Sequence, residues 1–552
     1  WKGDVMLTGI IGRGVADWIK EKGWIPSPYF PKIPCRVDKL FVAWDDNRTK
    51  VRGKISRDNP QGGGQVSTEL DLTVRHGQLD IEKIVVMGLG KRAEMGLSIH
   101  GGRNESIEFS WDGELLKSSL DALLENNELL EDSLTGRLRL FLKRGQGEKN
   151  TASGAISAKG VIWHWGVAKP VLIKDAFLRG DGDKIYVDKL VMGFEDEVIS
   201  STGFGIISNQ GIKLSLFADS PSITWDNFSD FFAKDSSLGQ AGESADNSIP
   251  ATAENSDEYQ KAWPFYGTFD FSLGKFSIQA HKFSDADFTS SNKMYTWAPV
   301  IGRFTIEPSG TRKLVVSRGE FCGLDTTGEW ELDTKRCQIR VSTHEGNPRF
   351  ENVLACLGYD QDIIEGPFSL DFRLSGSIGS WDSGGLHLYS DGGVIRRLNF
   401  FSKLFTVINV IDLFSKQGVS DLVNEGFTYS RLVLEGDIKG NLLKLDKFVV
   451  KGSGLNIFGR GTVDINTFEG DLILLVAPLK TIDTIISKVP LVGRVIGGKN
   501  NAVLTIPVGV KGNLSDPKVV LLPPEAVGSA LIGLVTDTLK LPFIILKPVL
   551  PR

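Results

Sequence analysis

Three segments of the chain share one pattern of apolar and polar positions. Leu79-Asp80-Ile81-Glu82-Lys83-Ile84-Val85-Val86-Met87-Gly88 alternates, meets an acidic–lysine pair, runs on as apolar residues and stops at glycine. Lys184-Ile185-Tyr186-Val187-Asp188-Lys189-Leu190-Val191-Met192-Gly193 and Leu443-Lys444-Leu445-Asp446-Lys447-Phe448-Val449-Val450-Lys451-Gly452 repeat it. Alternation of this kind belongs to a strand with one dry and one wet face, and the acidic–lysine pair is read as a bulge or a switch of register. After the second and third copies a further strand comes after a short turn, at Val198–Gly205 and Leu455–Val463, so the repeating unit is an antiparallel hairpin. A weaker relative, Lys313–Val316 and then Thr327–Leu332, lies between them. The copies are unevenly spaced, which argues against a short-period solenoid. The pattern predicts a mainly β chain: an elongated, twisted antiparallel sheet curled into an open apolar groove, with a few short helices capping its C-terminal part. Leu79, Ile81, Ile185, Val187, Leu432, Leu434, Leu443 and Leu445 are the expected lining.

Two strands near the C-terminus differ in kind. Arg431–Ile438 alternates cleanly. Asp471–Leu479 does not, so both its faces are expected to be dry, one against a helix and the other against core or ligand; an ordinary sandwich core has the same pattern. Helical spacing is found at Val15–Lys22, ended by Gly23 and two prolines, and at Leu115–Leu130. Leu398–Phe414 and Ala526–Leu541 are apolar around most of their circumference, and Pro542 stops the second. Both are expected at the terminal end of the groove, capping it or meeting a membrane. Core packing is the competing account, held equally open for the first helix. Membrane or partner contact is assigned to Leu398, Phe401, Phe405, Leu531, Leu534, Phe543 and Ile544. Neither helix is long and uniform enough for a span of ~20 apolar residues.

Composition narrows the function. The 552 residues exceed a single core, and 62 glycines with 31 phenylalanines against five methionines suit many short strands and tight turns. Net charge is -5, with 63 basic and 68 acidic residues, so no overall positive field exists to hold nucleic acid. Residues 230–262 are rich in Ser, Ala, Gly, Asn and acids, and read as a disordered loop or linker. The expected organisation is a β-meander groove segment at 1–229, this acidic stretch, a further groove segment at 263–389, a distinct C-terminal region at 390–525, and an apolar amphipathic helix and tail at 526–552.

The four cysteines and six histidines show no metal-ligand spacing, so neither metal nor cofactor is expected. A Cys322–Cys337 disulfide is compatible with both residues lying in strands of one meander; free buried thiols fit as well. Gly88-Leu89-Gly90-Lys91-Arg92-Ala93 matches G-x-G-x-x-A, but a dinucleotide site needs that loop to open a helix, and Glu94–Gly102 reads as a returning strand. Neither G-x-S-x-G nor a P-loop is present. His164 sits in an aromatic strand, Val161–Gly166, that suits a half-buried face or a sugar platform. No catalytic residues are assigned, and the chain is expected not to be an enzyme.

Gly426-Phe427-Thr428-Tyr429, the strand ending Gly459–Ile465, Val489-Pro490-Leu491-Val492-Gly493-Arg494-Val495-Ile496-Gly497-Gly498, and Ile506–Val519 with its Asn513-Leu514-Ser515-Asp516-Pro517 turn resemble, in that order, the C-terminal region of AsmA-like proteins of the YhdP and TamB type. The resemblance covers roughly residues 390–525. It implies a β-groove in the periplasm of a diderm bacterium that carries phospholipid between the inner and outer membranes and supports outer-membrane lipid homeostasis. It also implies an N-terminal inner-membrane anchor; the sequence opens at Trp1 inside what reads as a strand, and is taken as a fragment lacking that segment. Phospholipids and the two membranes are then its partners, with periplasmic or membrane proteins open. The rival account is an extracellular or periplasmic glycan-binding or adhesion module using Trp163, Trp165, Trp330 or Trp381.

Overall fold

The computed structural model describes residues 2–21, 29–45, 48–58, 64–75, 78–100, 106–143, 150–164, 169–208, 211–227, 265–279, 294–344, 346, 348–396, 403–404, 406–407, 426–478, 503–539 and 543–545. The acidic stretch 230–262 lies outside the described residues, as do Trp165, Leu398, Phe401 and Phe405. The chain divides into two units, Trp1–Lys313 and Leu314–Arg552. Each is mainly β, an open and mostly antiparallel sheet with few short helices.

The first unit contains β1 (Gly3–Ile11), α1 (Arg13–Glu21), β2 (Cys35–Asp45), β3 (Arg48–Asp58), β4 (Gln65–Arg75), β5 (Gln78–Gly88), β6 (Lys91–His100), β7 (Ser106–Leu116), α2 (Lys117–Leu123), β8 (Leu130–Lys143), β9 (Thr151–Trp163), β10 (Val171–Gly182), β11 (Lys184–Phe194), β12 (Glu197–Ser208), β13 (Gly211–Ser220), β14 (Ile223–Thr224), β15 (Phe265–Leu273), β16 (Phe276–Gln279) and β17 (Met294–Ile306). From β1 to β13 every strand pairs antiparallel with the next. β15 then lies parallel to β13, with β17 antiparallel beyond it. The hairpin β5–β6 turns through Leu89 and Gly90, both at positive φ, as a two-residue turn matched to strand twist requires. Gly90 leads into a strand and not into a helix, which removes the dinucleotide motif. The α1 helix falls where it was expected, but α2 is much shorter than Leu115–Leu130. Leu115 and Leu116 stay in β7 opposite Leu134 and Ser133, and the Asn127 carboxamide accepts the N–H groups of Leu129 and Leu130 and turns the chain into β8.

Two local devices bend these strands. In all three repeat copies the acidic–lysine pair is a bulge, with register shifting at Ile81/Ile84, Val187/Leu190 and Leu445/Phe448. A bulge increases local twist and, with one residue more than its partner strand, keeps Ile81 and Ile84 on one face where strict alternation sends them to opposite faces. The second device is an inner-face glycine at positive φ. Gly113 (φ +128°) brings its α-carbon so close to β6 that an added Cβ would stand 2.0 Å from the Arg92 carbonyl, a kink closed to any other residue.

The second unit opens with β18 (Arg312–Phe321), which crosses the division, and continues with β19 (Leu324–Glu331), β20 (Arg336–Thr343), α3 (Phe350–Leu357), β21 (Ile364–Glu365), β22 (Ser369–Ser377), β23 (Ser380–Ser390), β24 (Gly393–Ile395), β25 (Phe427–Lys439), β26 (Leu442–Gly452), β27 (Leu455–Asp464), β28 (Glu469–Pro478), β29 (Val503–Asn513), β30 (Lys518–Leu521), α4 (Ser529–Leu539) and β31 (Phe543–Ile545). The order β19-β20-β22-β23-β25-β26-β27-β28-β29-β30 is antiparallel throughout, and β31 joins β29 in parallel. The curl here is tight. The Asn441 side chain accepts the Trp381 N–H, its carbonyl accepts the Ile465 N–H, and Asn466 donates to Gly379 O, so the β22–β23, β25–β26 and β27–β28 turns converge.

Cys322 is bonded to Cys356, not to Cys337, which is a free buried thiol like Cys35. A Cys322–Cys337 pairing fails on geometry. Cys322 precedes Leu324, which faces Thr343, whereas Cys337 lies six residues down β20. At ~3.3 Å per residue that is roughly 20 Å, beyond the ~7 Å that Cα atoms of a disulfide tolerate.

Candidate functional site

Side chains directly opposite one another across a ladder project to the same side, so register alone traces each face of a sheet. In the first unit one unbroken row runs Val5, Val42, Val51, Leu72, Ile81, Leu97, Phe109, Leu140 and Ala152 through nine strands. A second row on the same side runs Ile156, Leu178, Val187, Gly203, Leu216, Phe269 and Phe304. This apolar inner face is only half covered: most of these side chains are neither buried nor exposed, and near the strand ends Val74 is 43% and Ile99 37% accessible. A sandwich core of such residues is closed by a second sheet. Here no second sheet among the described residues closes the face.

The opposite side is charged and cross-linked by ion pairs. Arg92 pairs with Glu94, Arg137 reaches Asp112 at 2.8 Å, and Arg303 grips Asp270 with two hydrogen bonds. Both members of the Asp188–Lys189 bulge stay on this side, where Arg179 makes a fork to Asp188 and Lys189 pairs with Asp175. The Arg179 hydrogen bonds hold the Asp188 carboxyl below the usual carboxylate range. Exposed cross-strand pairs contribute little stability; their effect is to keep this face wet. Phe177, Phe204 and Phe217 are exposed exceptions on it.

In the second unit the corresponding row is Leu370, Leu388, Leu434, Phe448, Gly459, Leu474, Val508 and Leu521. It is dry: Leu474 and Val508 are 0% accessible, and one cluster joins Leu432, Leu443, Leu445, Val450, Ile457 and Val476 to them. Leu404 is buried in the same cluster, tied in by Lys403, which donates to Pro517 O at 3.1 Å. β28 has two dry faces, as its unbroken apolar run implies. Leu472, Leu474 and Val476 face inward, while Leu475 and Ala477 meet Val449, Phe458 and the α4 residues Leu531 and Val535 on the back.

The expected lining residues fall on these inner faces in register. Ile81 and Val187 are buried and Ile185 is partly so; Leu79 faces Ile99, with its side chain outside those described. Leu432, Leu443 and Leu445 belong to the buried cluster, and Leu434 packs against it. The residues given to membrane or partner contact are placed differently. Leu531 is 4% accessible and Leu534 half-buried against the sheet, so Leu531 spends its apolar surface inside the unit in this conformation. Phe543 and Ile544 pair through their backbones with Val503 and Leu504. Sequence alternation alone passes over a fourth copy of the repeat: Val37-Asp38-Lys39-Leu40 in β2 is identical to Val187–Leu190, carries the corresponding register shift against β1, and is legible as a four-residue identity.

Trp330, Cys337, Gly376 and Trp381 form one row on the inner face, which sets two tryptophans of the glycan account inside the apolar surface, while Trp163 is largely exposed. His164 Nε2 lies 2.7 Å from Glu128 O. Among the described residues no group of acids, histidines and cysteines is arranged to hold a metal ion, and no helix is long and apolar enough to cross a membrane. Burial pushes the Cys35 and Cys337 thiols up, the reverse of what activates a nucleophile.

A family profile described as YhdP protein matches residues 205–519, more than half of the chain and parts of both units. The chain belongs to the YhdP family. That family is an AsmA-like group of bridge-like lipid transfer proteins of the cell envelope, a transport family without enzymatic activity. No curated protein matches the chain.

Proposed function

We propose that the inner faces hold the acyl chains of phospholipids and pass them between the inner and outer membranes through the periplasm, and that residues preceding this chain anchor it in the inner membrane. The observation that carries the reading is the row from Val5 to Ala152, apolar through nine strands and left half covered, with a charged face behind it. Each CH₂ moved from water onto such a surface gains about 0.8 kcal/mol, so two acyl chains bind without specific polar contacts. Shallow, equivalent sites along the row let a chain slide without chemistry. The Cys322–Cys356 bond supports an oxidising compartment, as the periplasm is. Native mass spectrometry of the gently purified chain is expected to recover two-chain phospholipid. A folded chain that yields none after expression in a lipid-replete envelope contradicts the proposal.

A further inference from the structure

The antiparallel neighbours β20 and β22 can be joined by two residues, yet residues 344–368 intervene and carry α3 out and back. That excursion lays α3 on the inner face. Val353 of α3 is buried with Leu324 and Phe368, and Phe350 and Leu357 pack on the same cluster as Val341, Leu370 and Leu388, the inward residues of β20, β22 and β23. The entrance is pinned: Phe350 stacks on Phe368 at 4.2 Å, its N–H donates to Gly366 O, and the Glu351 carboxylate accepts the Gly366 N–H. At the other end the Cys322–Cys356 bond ties the last turn of α3 to the β18–β19 turn. A helix of eight residues with one buried side chain does not hold itself against a sheet, because isolated helices of that length are unstable in water.

We propose that α3 is a cover over the inner face of β19–β23, latched by the Cys322–Cys356 disulfide, so that thiol–disulfide exchange controls access of apolar ligand to this stretch. Latching is a balanced exchange: the two thiols reduce a disulfide of the envelope to two thiols as the Cys322–Cys356 bond forms, and a dithiol reverses it. That the ligand is an acyl chain rests on the function proposed above; the latch itself does not.

The test uses the full chain, reduced under native conditions or carrying Cys322→Ser with Cys356→Ser. Cys35 and Cys337 are buried, so alkylation of the reduced wild type and measurement of its intact mass counts the opening. Two labels, with amide exchange in 350–357 faster by about tenfold or more and unchanged in β25–β29, are expected. Four labels mean that the bond staples the whole fold, and unchanged exchange means that α3 needs no latch; either result overturns the proposal. A photoactivatable phospholipid is then expected to cross-link Val341 and Leu370 more in the unlatched form. Equal cross-linking in both forms overturns control of access, whereas absence of cross-linking anywhere in either form, with the exchange result as expected, contradicts the transport proposal and leaves the latch standing as a conformational device.

Discussion

At the scale of single residues, the inner face depends on where side chains are missing as much as on where they are present. Gly459 sits between Phe448 and Leu474, and an added Cβ would stand 2.5 Å from Leu474 Cδ2 and 2.7 Å from Phe448 Cδ1. Both neighbours are locked in the buried cluster. Gly459→Ala is therefore expected to cost about 1–3 kcal/mol, read as a lower urea midpoint at unchanged slope. The outer face supplies a pH test. Asp371 is held below the usual carboxylate range first by the Arg373 hydrogen bond, with burial opposing and Arg340 assisting. A depressed folded pKa gives stability that is present above the unfolded value, about 3.9, and is lost as pH falls through the folded value. The deficit of Asp371→Asn relative to wild type should therefore be constant near neutrality and shrink only on acidification below pH ~4. A deficit that persists unchanged at pH 2 contradicts this assignment.

At the scale of elements, the acidic–lysine bulges set which side of a strand faces inward. Deleting Asp188 and Lys189 together removes one bulge and, by leaving Leu190 next to Val187, turns Leu190 and Met192 outward relative to it, whereas Asp188→Ala leaves the backbone count intact. The deletion is expected to broaden or abolish cooperative thermal unfolding, and the substitution to change it little. Equal behaviour of the two contradicts the role given to the bulge. The α4 helix carries a second expectation. Removing residues 526–552 uncovers Val449, Phe458, Leu475 and Ala477, so the truncated chain should lose protection from amide exchange in β25–β28. Much of this was legible in the sequence. Alternation gave the inner side of β5, β11 and β26, and the unbroken run of β28 announced two dry faces. The cover by α3 and the Cys322–Cys356 bond were not, because they depend on a connection that leaves the sheet and returns, and period-2 patterns carry no information about what lies over a face. Helical spacing at Leu115–Leu130 held for only part of its length: Leu120 and Leu123 lie in α2, while Leu115 and Leu116 pair in β7 and Leu130 pairs in β8.

At the scale of the whole molecule, the two units share one construction but differ in cover. The inner face of the first is half open, while that of the second is dry around Leu474 and Val508. The family assignment and the charged outer face agree with lipid transfer, and every part of that account rests on the two sides of the sheet being different solvents for an acyl chain. The most direct measurement places a photoactivatable amino acid at alternate positions of single strands in the first unit, in cells, and analyses the adducts by mass spectrometry. Leu97, Leu140 and Ile185 are the inward positions, and Ser98, Arg139 and Tyr186 are their outward neighbours. The account predicts phospholipid adducts at the first three and none at the other three. Adducts at both sets alike, or at the outward set alone, would contradict it.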